Sequence, residues 1–275
     1  MNDPRLTPAN TRVMADHLPI DSSGRRRVTP EPMQIGVPVV DLLRNPEGPR
    51  DRQLLLGDAV HVLERLDGFA FVQSQKDAYV GYVDETALEQ PGTPTHMVIA
   101  PATHLYVRAD MKSPDRNGLS FGARLTVEAE SGGFAETWHG FVPRQHLRPL
   151  QKPFDDPVEV ASLFLGTPYL WGGNSRAGID CSGLVQAACL ACGIPCPGDS
   201  DQQQAALGEL LPEDETPRRG DLLFWKGHVA WVAGRNQILH ANAHTMSTNF
   251  EDLNSAVARI QEAGDGPVTA RKRLN

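Results

Sequence analysis

The 275-residue sequence has few aromatic residues (6%) and only four cysteines, all between Cys181 and Cys196. A secreted disulfide framework would spread its cysteines along the chain, so these four belong to one local element instead. Positive charge is also short, with 26 Lys and Arg against 34 Asp and Glu and a net charge of −8. Such a chain has no overall field to draw nucleic acid or anionic lipid. No apolar run approaches the roughly 18 residues that span a bilayer. The opening stretch, MNDPRLTPANTRVMADHLPI, has no basic start, apolar core or small-residue cleavage site. It does not read as a secretory signal, and the expected location is the cytoplasm, with neither membrane nor nucleic acid as partner.

What the chain does have is turn residues: 22 prolines and 25 glycines, with 40% hydrophobic and 22% charged residues. That balance excludes collagen, a coiled coil and a fully disordered chain, and it points to several short elements. Residues 1–35 are polar and read as an extended, partly ordered arm, with Arg25, Arg26 and Arg27 as solvated surface charge. Residues 36–92 and 93–150 read as two small β domains. Gly57 and Gly122 each precede a strand-like run and are each followed eleven residues later by a Gly-Phe-Ala triplet, Gly68-Phe69-Ala70 and Gly133-Phe134-Ala135. Gly81-Tyr82-Val83 and Gly140-Phe141-Val142 then close the units, so the period implies a duplication. These runs resemble bacterial SH3 domains, with Phe or Tyr in place of the two usual tryptophans. Tyr79, Tyr82 and Phe141 are either ligand-facing or small-barrel core, and core is the expectation for Tyr82 and Phe141.

Residues 151–275 change character. Asp155-Asp156-Pro157 opens a helix with proline in its first turn. Leu184, Val185, Ala188 and Cys192 have helical spacing, and Gly193 marks the stop. Leu222–Trp225, His228–Val232, Gln237–Ala241 and Val268–Leu274 read as strands. Helices first and an antiparallel sheet after is an α+β pattern.

Cys181 falls at the predicted N-terminus of that helix, where the dipole and free N–H groups favour a thiolate and can hold an oxyanion. Cys189, Cys192 and Cys196 read as buried packing and not as a metal site, because their spacing lacks a second ligand pair on a turn. His228 and His240 lie on successive strands. If those strands form a hairpin, one imidazole can take the thiol proton while the other orients it.

Five blocks occur in order: Tyr169-Leu170-Trp171-Gly172-Gly173, Asp180-Cys181-Ser182-Gly183-Leu184, Arg219-Gly220-Asp221-Leu222, Gly227-His228-Val229 and Leu239-His240-Ala241. This series resembles the NlpC/p60 family of cell-wall cysteine peptidases. The resemblance implies a papain-like catalytic domain preceded by two small SH3-like β-barrels, with Cys181 as nucleophile, His228 as base and His240 as third member. It needs neither a metal nor another cofactor. The layout is similar to the family's γ-D-glutamyl-L-diamino acid endopeptidases, which cut peptides such as L-Ala-γ-D-Glu-diaminopimelate that begin with a free L-Ala. By that resemblance Tyr169 and Asp180 line the site, Asp180 pairs the ligand's ammonium, and Ser182 and Ser200 hold the D-Glu α-carboxylate. Tyr79 touches the amine, with an acidic partner expected in the charged loop 47–51. Ser200-x-x-Gln203 also reads as a capping box before a helix over Gln202–Leu210. The enzyme is expected to act as a monomer in muropeptide recycling. The competing readings are a hydrolase anchored on intact wall, a non-catalytic wall-peptide binder, and an acyltransferase on the same scaffold.

Overall fold

The computed structural model describes residues 3–19, 21–212 and 214–274, which divide into two compact units, 1–152 and 153–275. Among the described residues no helix is long and apolar enough to cross a membrane.

The first unit is almost entirely β. Its first module is a seven-stranded antiparallel sheet in the order Arg50–Leu55, Val39–Leu43, Val80–Asp84, Phe69–Ser74, Ala59–Leu66, Glu31–Ile35 and Leu88–Glu89. Alternating apolar positions, including Ile35, Leu42, Leu54, Val60, Val62, Val72 and Val83, fill its interior. The second module, residues 96–149, repeats this pairing scheme strand for strand. The counterpart of Ala59–Leu66 is broken at Thr126 into Arg124–Leu125 and Val127–Ser131, which divides the module into a three-stranded and a five-stranded sheet. The repeated glycines take the same backbone state: Gly57 has φ +80° and Gly122 φ +89°. Both are left-handed positions that a side chain would strain. A Cβ on Gly57 would also lie 2.3 Å from the Arg124 carbonyl oxygen. The Arg124 N–H donates to the Leu56 carbonyl at 2.8 Å, and Leu56 is buried in the core of the second module.

The amino-terminal segment, expected as an extended, partly ordered arm, is built into the fold. Val13–Ala15 and Arg26–Val28 pair as a parallel two-stranded ribbon, and Glu31–Ile35 is a strand of the first module. The cause is apolar. Val13 and Ala15 are buried against Leu63 and Phe71. The segment is fastened by Arg12 to Glu64 at 2.7 Å and by the Asn10 amide, which donates to Glu64 and to the Tyr82 hydroxyl at 2.9 and 3.1 Å.

The second unit is α+β. Its helices are α1 (Pro157–Ser162), α2 (Cys181–Ala191), α3 (Ser200–Ala206) and α4 (Leu253–Glu262). Besides a short pairing of Asn174–Ser175 with Gly178–Ile179, its strands are β1 (Glu209–Leu210), β2 (Asp221–Trp225), β3 (His228–Gly234), β4 (Gln237–Asn242), β5 (Ser247–Asp252) and β6 (Ala270–Arg273). Strands β1 to β6 form one antiparallel sheet in the order β1-β6-β2-β3-β4-β5. Helix α1 begins as the proline signal requires, with Asp156 accepting from the Val158 and Glu159 N–H groups at 2.7 and 3.2 Å. Helix α2 packs against β3 and β4, and α4 covers the face that carries Val232 and Ile238.

Among the longer elements, β5 and α4 escaped the sequence reading. β5 carries too little apolar alternation to stand out as a strand. The α4 signal is there, in Leu253, Ala256, Val257 and Ile260 at helical spacing behind the N-cap Asp252, which accepts from the Ser255 N–H at 2.9 Å. The α3 expectation needs correction, since the helix runs Ser200–Ala206 and its N-cap is Asp199, not Ser200. Asp199-x-x-Gln202 and Ser200-x-x-Gln203 both fit a capping box. Gln203 is drawn elsewhere: fully buried, its amide donates to the carbonyls of Ser182 and Pro197 at 2.9 and 3.0 Å.

Candidate active site

The site grows from the first turn of α2. Asp180 is the N-cap, with its carboxylate accepting from the Gly183 N–H at 2.6 Å, the Gly172 N–H at 2.9 Å and the Ser182 hydroxyl at 3.0 Å. One side chain therefore ties the Trp171-Gly172-Gly173 loop to the helix that begins with Cys181. The approach is close: a Cβ on Gly183 would sit 2.5 Å from the Gly173 carbonyl oxygen. These contacts give both motif blocks a structural cause. Cys181 is buried at the first helical position, and all four cysteines are free thiols. The helix N-terminus favours its thiolate.

Tyr169 is half-buried beside this turn. Its hydroxyl pKa is pushed well above the ordinary phenol value, first by burial and then by the negative charge of Cys181 and Asp180. It therefore stays a neutral donor. Ser182 is buried and spends its hydroxyl proton on Asp180, whereas half-buried Ser200 opens α3, and Gln203 ties the two helices together. In the first unit, Tyr79 is buried in the core of the first module and borders a cavity of ≈590 Å³ that also meets Arg44 and Asp51. Asp51, at the end of the charged stretch where an acidic partner was expected, lies in the strand Arg50–Leu55 and is paired with Arg44 at 2.6 Å.

The imidazoles meet as the hairpin reading required. Strands β3 and β4 pair with Trp231 opposite Leu239 and Val232 opposite Ile238. Alternation then sets His228 and His240 on the Val232 face. His228 Nε2 lies 2.9 Å from His240 Nδ1. Both histidines are held neutral: burial first, then the His240 charge, pushes His228 down to about 3, and burial pushes His240 down to about 4.

Beyond them the structure adds residues that the sequence reading missed. His240 Nε2 is 3.1 Å from Glu251 Oε2. Glu251 is held in turn by Arg259, at 2.9 Å through Nε and 2.7 Å through the terminal nitrogen. These bonds keep the carboxyl below its ordinary pKa. The Arg219-Gly220-Asp221-Leu222 block is scaffolding. Arg219 pairs with Asp156 at the head of α1, and buried Asp221 takes both arms of Arg273 at 2.8 Å. Among the described residues, no cluster of three His, Cys, Asp or Glu side chains has metal-site geometry.

Comparison with known proteins accounts for this arrangement. The NlpC/P60 family profile matches residues 166–261, and the profile for the bacterial dipeptidyl-peptidase Sh3 domain matches residues 42–88. A gamma-D-glutamyl-L-lysine dipeptidyl-peptidase of Bacillus subtilis (strain 168) is 32% identical over 216 residues, covering 69% of this chain and 71% of that protein. Its namesake in Bacillus cereus (strain ATCC 10987 / NRS 248) is 25% identical over 242 residues, covering 74% and 71%. A solved NlpC/P60 family protein from Bacillus cereus ATCC 10987 superposes with a TM-score of 0.75 over 89% of this chain and 99% of its own, at 20% identity, a likeness of fold. With Cys181 at the head of α2, an imidazole pair on the adjoining hairpin and a relative 32% identical across more than two thirds of both chains, this protein belongs to the NlpC/P60 family of cysteine peptidases.

Proposed function

We propose that the enzyme hydrolyses the γ-D-glutamyl bond to an L-diamino acid in peptides that start with a free L-Ala, releasing L-Ala-D-Glu. The carrying observation is the capped N-terminus of α2, with Cys181 as its first residue, packed on the hairpin that holds His228 against His240. The bond and the dipeptide product follow the names of the relatives, both gamma-D-glutamyl-L-lysine dipeptidyl-peptidases.

Neutral His228 takes the thiol proton as Cys181 sulfur attacks the γ-carbonyl carbon. Backbone N–H groups at the start of α2 stabilise the oxyanion. Collapse breaks the C–N bond, and His228 returns the proton to the departing amine. Water, activated by His228, then cleaves the thioester, freeing the dipeptide and the thiol. Ser182 and Ser200, on the two helices that Gln203 links, and the Tyr169 hydroxyl are the polar groups proposed to orient the D-Glu moiety. A dipeptidyl-peptidase suits peptides already released from the wall, so we assign the enzyme to muropeptide recycling in the cytoplasm.

The test is to incubate the protein with L-Ala-γ-D-Glu-L-Lys and with its diaminopimelate counterpart. Release of L-Ala-D-Glu is expected, falling by about 10⁴-fold or more in Cys181→Ala. Intact peptide, or cleavage that survives the substitution, overturns the reading. N-acetylating the alanine should abolish turnover; persistence would assign the enzyme to uncut wall peptides instead.

A further inference from the structure

We propose that Glu251 and Arg259 are positioning residues of the catalytic machinery, fixing which ring nitrogen of each histidine carries the proton. The proposal rests on the cysteine-peptidase reading of Cys181 and His228, and not on the identity of the peptide.

An ionised carboxylate only accepts hydrogen bonds. Facing Glu251 Oε2 at 3.1 Å, His240 Nε2 must therefore be the N–H. A neutral His240 then has a bare Nδ1, which accepts from His228 Nε2–H across 2.9 Å. With its proton on Nε2, a neutral His228 keeps the lone pair on Nδ1, the atom left to take the thiol proton. The reversed chain, His240 Nδ1–H donating to a bare His228 Nε2, has the same number of bonds between the rings. It would leave a proton on His228 Nδ1 and no base. The two rings alone cannot choose between these chains, and the carboxylate does.

Arg259 has a second task. A lone carboxylate beside His240 would favour the imidazolium, whose Nδ1–H would face His228 Nε2. The guanidinium on α4 offsets that charge by donating from Nε to Oε1 and from its terminal nitrogen to Oε2, whose second lone pair still accepts from His240. The charged and titratable groups acting on His240 are Glu251 from β5, Arg259 from α4, His244 from the following turn, and His228 across the hairpin at 2.9 Å. Glu251 is the one that favours its proton, and Arg259 and His244 oppose it.

The first experiment uses the wild-type protein with ¹⁵N-labelled histidine. Ring shifts at neutral pH should show His228 and His240 both protonated on Nε2; an Nδ1–H on either overturns the proposal. The second compares Glu251→Ala and Glu251→Gln by the rate of Cys181 carbamidomethylation against pH. The alanine variant should react about 10–100-fold more slowly near neutrality. Its profile should move to higher pH. Glutamine, whose oxygen still accepts from Nε2–H, should recover most of the rate. A folded alanine variant with wild-type rate and profile, or one that only melts earlier, overturns the proposal. Neither readout uses a peptide. Correct tautomers in a protein that leaves L-Ala-γ-D-Glu-L-Lys intact would sink the proposed substrate and keep this relay.

Discussion

At the scale of residues, the paired imidazoles make stability depend on acid. His240 is fully buried, and both His228 and His240 have folded-state pKa values far below the ordinary 6.5. Between pH 6.5 and about 4 the unfolded chain binds protons on these rings that the native protein refuses. Stability therefore falls with pH through that window, by up to about 1.4 kcal/mol per pH unit for each such ring. The Glu251 carboxyl, lowered by Arg259, adds a loss in the same direction only below its ordinary value of 4.5. Melts from pH 7 to pH 4.5 should show the decline, and His240→Asn should flatten its slope. An unchanged slope would mean that His240 already titrates as a free imidazole. The histidine pair was legible because His228 and His240 each lie in a short apolar block that reads as a strand, and Cys181 because its block marks a helix start. Glu251 was not, because Ser247–Asp252 is polar enough to pass for a loop, and its role comes from a partner on the next helix.

At the scale of elements, the amino-terminal segment is a cover for the first module. It brings Val13 and Ala15 onto Leu63 and Phe71, with Leu18 and Val28 beside them. Deleting residues 1–28 uncovers this cluster. Uncovering a side chain the size of Leu or Phe costs about 1.5–3 kcal/mol. The shortened chain should bind a hydrophobic dye and melt at lower temperature; a wild-type melt would make the segment an appendage. Sequence alone under-read this segment because its apolar residues are few and scattered among Pro, Asp and Arg, so burial shows only once the partner face is known. The helix starts fared better, since caps are local: Asp156 and Asp180 each satisfy N–H groups two to eight residues away. Where two overlapping capping boxes competed at Asp199 and Ser200, the burial of Gln203 decided the outcome, and no local pattern contains that.

At the scale of the molecule, the second unit holds its own core of Leu223, Trp225, Ala230, Val232, Ile238, Ala256 and Ile260, and its relay lies wholly within it. A fragment of residues 153–275 should give one cooperative thermal transition and keep the Nε2-protonated histidine pair; a fragment with no transition would refute its independence. The duplication in the first unit was legible through repeated glycines, because a left-handed turn leaves few other choices of residue. The shared packing was not, since nothing local to Leu56 says that its side chain belongs to the neighbouring core. That residue makes the two modules poor interchangeable parts. A cut at residues 42–88, where the Sh3 profile matches, discards the strand Glu31–Ile35 that lies between Ala59–Leu66 and Leu88–Glu89, and takes Leu56 out of the partner's interior. Anyone transplanting one module into a chimera would have to carry its neighbour along.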